Sequence, residues 1–161
     1  MKKSSILCFV NILLIVFLVS CEKDYEYKFI DQDLTGKVFG LDWTYQSGEA
    51  KTFAGDTAKF IINLWDENID PCTSADGSDY TVFFTVPKSI RLFHLQVAIL
   101  EDTGQTIAFY HDGTIFEAFE GVIEILSIDL TNTLTITGRI DAKFDDSNRL
   151  NGNFTVKYCS L

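Results

Sequence analysis

LTITGRIDAKF, residues 134–144, alternates for its whole length. Leu134, Ile136, Ile140, Ala142 and Phe144 fall on one side of an extended chain, and Thr133, Thr135, Thr137, Arg139, Asp141 and Lys143 fall on the other. A period of two follows the pleat of a strand with one face buried, so this segment predicts a half-buried antiparallel strand. Gly138 interrupts the pattern and predicts a bulge or bend. Asp145-Asp146-Ser147-Asn148 then reads as a hairpin turn, and NFTVKYC (153–159) resumes the alternation with Phe154, Val156 and Tyr158 inward.

The same pattern extends toward the amino terminus. FGLDWTY (39–45) sets Phe39, Leu41, Trp43 and Tyr45 against Gly40, Asp42 and Thr44. Further strands are expected at 57–65 (TAKFIINLW), 80–86 (YTVFFTV), 92–99 (LFHLQVAI), 105–110 (QTIAFY) and 121–128 (GVIEILSI), the last apolar on both faces and therefore more deeply buried. QSGE, DPCTSADGSD, EDTG, HDG, DLTN and DDSNRLNG supply turn chemistry between them. No window has a helical period with caps. About eight strands at this spacing predict an all-β domain, an antiparallel β-sandwich, with a small lipocalin-like barrel as the alternative.

Residues 1–20 obey different rules. Lys2 and Lys3 form a basic head, Ile6 to Val19 an apolar run of about 14 residues, and Ser20 a small residue before Cys21, the three zones of a secretory signal peptide. A helix of that length falls short of the roughly 30 Å hydrocarbon core, which makes a permanent span the weaker reading. Leu18-Val19-Ser20-Cys21 resembles the lipobox of bacterial lipoproteins, which implies a diacylglyceryl group on the Cys21 sulfur, cleavage in front of it and acylation of the new amino group. Two or three acyl chains anchor durably where one is marginal, each buried methylene adding about 0.8 kcal/mol. The organisation expected is a signal peptide at 1–20, a lipidated tether at 21–34 and a β-sandwich domain at 35–161. EKDYEYK (22–28) resembles the acidic export signals of surface lipoproteins of the Bacteroidota, the alternative being a plain polar linker.

The formal charge is -10, and losing residues 1–20 removes two lysines and no acid. So acidic a body would be repelled by nucleic acid, which is excluded as a partner, and by anionic membrane surfaces. Of four cysteines, Cys8 leaves with the signal and Cys21 takes lipid. In an exported chain the remaining Cys72 and Cys159 predict a disulfide, with roughly 4 kcal/mol of stabilisation in the chain-entropy model. Two free thiols or a metal pair are the alternative, for which the local sequence offers no His or Cys neighbours.

Reaction chemistry is thinly represented. His94 and His111 have no metal-binding or nucleophilic neighbour at useful spacing. Glu124 interrupts an apolar face and is a candidate acid only if buried. WDENIDPCTSADGSD (65–79) concentrates Asp66, Glu67, Asp70, Asp76 and Asp79, hard oxygens of the kind calcium takes, but not at EF-hand spacing. A solvated acidic loop is the reading preferred, with Asp66, Glu67 and Asp70 the weaker metal candidates, and no cofactor is expected. Trp43, Trp65, Tyr45, Tyr80 and Tyr110 are either core or a sugar platform.

LTGKVFGLDWTYQSGEAKTF, LWDENIDPC, VFFTVP, TIAFYHDGT and the long GVIEILSIDLTNTLTITGRIDAKFDDSNRLNGNFTVKYC together resemble a group of small, uncharacterised lipoproteins of the Bacteroidota. The shared features are a strand-initiating Thr-Gly, a Pro-Cys, and a closing Asn-Gly-x-Phe before a terminal Cys, over roughly residues 35–159. The resemblance implies a surface or periplasmic β-domain with Cys72 and Cys159 as its paired cysteines, and brings no activity with it. The function expected is a non-catalytic, outer-membrane, lipid-anchored module binding a glycan, a peptide or an envelope protein. A lipocalin-like carrier of an apolar ligand is the alternative, and a small envelope enzyme ranks third.

Overall fold

The structure, a computed structural model, describes residues 25–73, 78–96 and 105–160. Among them are eleven strands and no helix: β1 (Thr35–Val38), β2 (Leu41–Thr44), β3 (Ser47–Thr52), β4 (Lys59–Trp65), β5 (Tyr80–Pro87), β6 (Leu92–His94), β7 (Ile107–His111), β8 (Thr114–Ala118), β9 (Glu120–Asp129), β10 (Thr135–Asp145) and β11 (Asn148–Tyr158). The class is all-β. No helix among the described residues is long and apolar enough to cross a membrane.

Two hairpins close through two residues at positive φ, Phe39-Gly40 (52° and 80°) and Asp112-Gly113 (44° and 78°). Two consecutive left-handed residues give the turn whose twist matches the strands it joins, and glycine takes the second position without steric cost. The first of these turns corrects the strand expected over 39–45. The chain reverses at Phe39-Gly40, pairing Val38 with Leu41, so Leu41 is 54 % exposed while Trp43 is buried. The turn expected at 145–148 is present, with Asp145 opposite Asn148.

All strands belong to one hydrogen-bonded sheet, ordered β6-β9-β10-β11-β3-β4-β5-β7-β8, with β1 and β2 branching from β11. The expected picture was two stacked antiparallel sheets of about eight strands. The pairing instead runs continuously through β11, whose edge is shared between β1 at residues 149–151 and β3 at 157–158. The β11–β3 ladder is parallel and spans two residue pairs, which makes the sheet mixed.

The sheet curls around one core. Phe60, Ile62, Leu64, Val82, Phe84, Ile107 and Phe109 on one half meet Ile123, Ile125, Ile136, Ile140, Phe154 and Val156 on the other. Along β10 the expected alternation holds from Thr135 to Ile140. The irregularity, however, lies on the neighbour: Thr137 faces Ser127 and Gly138 faces Ile125, so Leu126 is the extra residue, bulged out of β9 and 45 % exposed. Gly138 serves close approach instead, since a Cβ there would lie 2.5 Å from the Phe154 ring. Phe144, expected inside, is 38 % exposed at the sheet's end. There it joins a chain of rings, Tyr80–His111–Phe39–Phe116–Phe144–Phe119, with centroids 4.1–6.5 Å apart, which bridges the unpaired gap between β8 and β10.

Residues 25–34, read from sequence as the end of a tether, lie against the sheet. The Tyr25 hydroxyl donates to Asp141 Oδ1 (2.8 Å) and the Lys28 N–H to Asp141 Oδ2 (2.7 Å). The Asn151 side chain exchanges hydrogen bonds with the backbone of Lys28 and Ile30, and Leu34 is fully buried. Burial and the Asp141 contact together push the Tyr25 hydroxyl's pKa above its ordinary value. Cys21 lies outside the described residues.

Candidate functional site

Cys72 and Cys159 form a disulfide, with sulfurs 2.00 Å and Cα atoms 5.4 Å apart across 87 residues. Cys159 is buried just past the end of β11, where its N–H donates to the Ala50 carbonyl, and Cys72 is exposed in the loop after β4. The bridge therefore sews the last strand and the 66–73 loop over β3.

Glu49, on β3 and 3 % exposed, organises this junction. One carboxylate oxygen meets Lys51 Nζ (2.5 Å) and Asn63 Nδ2 (3.4 Å). The other accepts from the Cys72 N–H (3.1 Å) and lies 3.6 Å from Cys159 Sγ. Sequence reasoning placed Glu49 in the QSGE turn and missed it. The one local signal was Lys51 two residues on, the same-face spacing of a strand.

The carboxylate has a chemical consequence. A reducing thiolate that attacks the sulfur of Cys72, the exposed residue of the pair, must expel Cys159 as a thiolate in a buried place beside Glu49, where a second negative charge is disfavoured. Glu49→Gln should therefore speed reduction of the native bridge by dithiothreitol several-fold, read by alkylation and mass spectrometry. An unchanged rate would confine Glu49 to a structural role.

Next to the disulfide lies a groove of about 560 Å³, lined by Tyr45, Gln46, Ser47 and Gly48, by Asn68 to Pro71, and by Thr133, Thr135 and Thr155 to Lys157. Ser47 secures the loop wall, its hydroxyl donating to the Glu67 carbonyl (2.6 Å) and accepting from the Ile69 N–H (2.9 Å). The opposite wall is set by Asp129, whose carboxylate accepts from the N–H groups of Thr131, Asn132 and Thr133 and from two threonine hydroxyls. Those bonds hold Asp129 far below the usual carboxylate range. The Tyr45 hydroxyl donates to the Thr155 carbonyl, and burial pushes its pKa up to about 12. The groove thus presents hydroxyls, amides, one acid (Asp70), one base (Lys157) and an aromatic edge on a tied-down frame.

Of the metal candidates, Asp66 accepts from the Ser78 hydroxyl (2.5 Å), while Glu67 and Asp70 contribute backbone carbonyls to Ser47 and Thr73. No group of three or more His, Cys, Asp or Glu converges among the described residues, and Asp76 lies outside them. Glu124 pairs with Arg139 (2.6 Å), whose guanidinium covers the Phe29 ring. His94 meets the edge of Tyr27, and His111 stacks on Tyr80. Trp43 and Trp65 are buried, which removes them from a sugar platform and leaves Tyr45 at the groove.

Fold and site together define a disulfide-tied, curled mixed β-sheet domain with a polar surface groove beside the bridge. Compared with protein-family models, with curated proteins and with solved structures, the chain matches none.

Proposed function

We propose that this is a lipoprotein of the outer membrane, anchored through Cys21, whose domain is a half-open barrel that binds an oligosaccharide without transforming it. The observation that carries the binding reading is the groove beside the disulfide. Its threonine hydroxyls, Asn68, Gln46, Asp70 and Lys157 offer the donor and acceptor density that sugar hydroxyls require, next to the ring of Tyr45. The rigid frame favours binding because little entropy is lost in ordering it. The anchor rests on the basic head, the apolar run and Leu-Val-Ser-Cys, and membership of the Bacteroidota lipoprotein group rests on the strand and cysteine motifs. A lipocalin-like carrier ranks second, because the inward side chains of both sheet halves fill the core with rings and aliphatic groups. An enzyme ranks third.

Two measurements test this. Mass spectrometry of the mature protein should find an acylated Cys21 at the amino terminus, and Cys21→Ala should leave the protein unlipidated and mislocalised. A free amino terminus at another residue would remove the anchor. On an oligosaccharide array the protein should retain a saccharide that the Asp70→Ala, Lys157→Ala double variant binds at least tenfold more weakly. Absence of any saccharide bound above background would remove the binding reading.

A further inference from the structure

The end of the sheet that carries the ring chain has a second feature. Asp42, Lys37, Arg149, Lys143 and Glu120 are direct cross-strand partners in one row over β2, β1, β11, β10 and β9. Direct partners project from the same face, so three cations stand side by side with an acid at each end, and like charges so placed repel one another. Lys143 reaches Asp146 (2.8 Å), whereas Lys37 and Arg149 form no ion pair among the described residues.

This row sits one step behind the rim. Lys143 precedes Phe144, Arg149 follows the 145–148 turn, and Lys37 lies two residues before Phe39. At the rim itself Leu41, Phe119 and Phe144 are 54, 43 and 38 % exposed. The chain's amino-terminal side arrives at the same place, since Tyr25, Lys143 and Arg149 line one groove of about 310 Å³. Cys21 is four residues before Tyr25, a reach of about 14 Å at most for extended chain.

We propose that this rim is the face that rests on the phospholipid bilayer: Leu41, Phe119 and Phe144 enter the interfacial layer, and Lys37, Arg149 and Lys143 meet lipid phosphates one residue farther out. The inference rests on lipidation at Cys21. It accounts for exposed phenyl rings beside a row of cations of which Lys37 and Arg149 form no ion pair among the described residues, the order in which an interface offers apolar depth and then phosphate. Asp42, Glu120 and Asp146 flank the row, and the chain's net charge is -10, so the matching surface is a zwitterionic one. Weak contacts suffice, because an anchor on a chain reach of about 14 Å from Tyr25 makes docking intramolecular, at an effective concentration on the order of millimolar. The groove beside the disulfide lines the far ends of β10 and β11 and is thereby held away from the membrane.

The test uses full-length protein, matured and acylated in cells, with Phe119→Trp or, as the distal control, Leu130→Trp. Leu130 lies past the other end of β9, about 36 Å along the strand at roughly 3.3 Å per residue. Native Trp43 and Trp65 are buried and supply a constant background. In phosphatidylcholine–phosphatidylethanolamine vesicles with acyl chains brominated near the headgroup, quenching at position 119 should be at least twice that at 130. Adding Lys37→Ala with Arg149→Ala should halve the difference, and in wild-type protein the amides of 117–121 and 144–148 should exchange more slowly on vesicles than in detergent. Equal quenching at the two positions, in protein whose acylated Cys21 has been verified by mass, would overturn the docking while leaving the anchor intact. An unacylated Cys21 would instead overturn the anchor and the docking with it. Cross-linking of two copies through the rim in place of quenching would assign the face to a dimer and also overturn the proposal.

Discussion

Replacing Cys72 and Cys159 together by serine should lower the domain's stability by about 4 kcal/mol, a fall in thermal midpoint on the order of 10–15 °C for a domain of this size. Chain entropy accounts for the figure, since the bridge closes a loop of 87 residues. The location makes the loss specific. The bridge lies at the seam where β11 meets β3 through two residue pairs, the shortest ladder joining the two halves of the sheet, reinforced by the Cys159 N–H bond to Ala50. Without it the seam is held by that ladder, by the Cys159 N–H bond to Ala50 and by the contact between the Thr52 and Tyr158 hydroxyls. Amides of residues 48–51 and 157–159 should therefore lose exchange protection before those of the β4–β5 pair. Reductant should reproduce the shift in the wild-type protein, and two thiols titrating in the oxidised, denatured chain would refute the bridge.

Ile136→Ala should cost about 2–5 kcal/mol in chemical denaturation, because Ile136 is fully buried and its removal leaves a cavity among neighbours fixed on three strands. Thr135→Ala, on the opposite face, should cost well under 1 kcal/mol. Phe144→Ala belongs with the milder changes, although alternation alone ranks it with Ile136. Its ring is 38 % exposed and stacks on Phe116 at the rim, where water fills the space that truncation leaves. Equal losses at Ile136 and Thr135 would mean that the register along β10 is misassigned.

Alternation of side chains was enough to locate β4, β5, β10 and β11, because the pleat imposes a period of two on any strand with one wet face, and β9 was located by its apolar run between turn signals. Turn chemistry was likewise legible at Asp112-Gly113 and Asp145–Asn148, where the local backbone conformation decides the outcome. The two cysteines outside the amino-terminal segment were enough to pair Cys72 with Cys159. β3 was not legible. Its sequence, SGEAKT, has no apolar alternation, and it is a strand because β4 and β11 supply ladders on its two edges while the disulfide and the 66–73 loop cover it. Glu49 was invisible for the same reason, since its partners Asn63, Cys72 and Cys159 come from distant parts of the chain. Whether the strands form one sheet or two, which end the rings of Phe116, Phe119 and Phe144 close, and where residues 25–34 lie were decided by tertiary structure. A strand's period is written in its own residues, whereas its neighbours and its cover depend on which distant segments meet it.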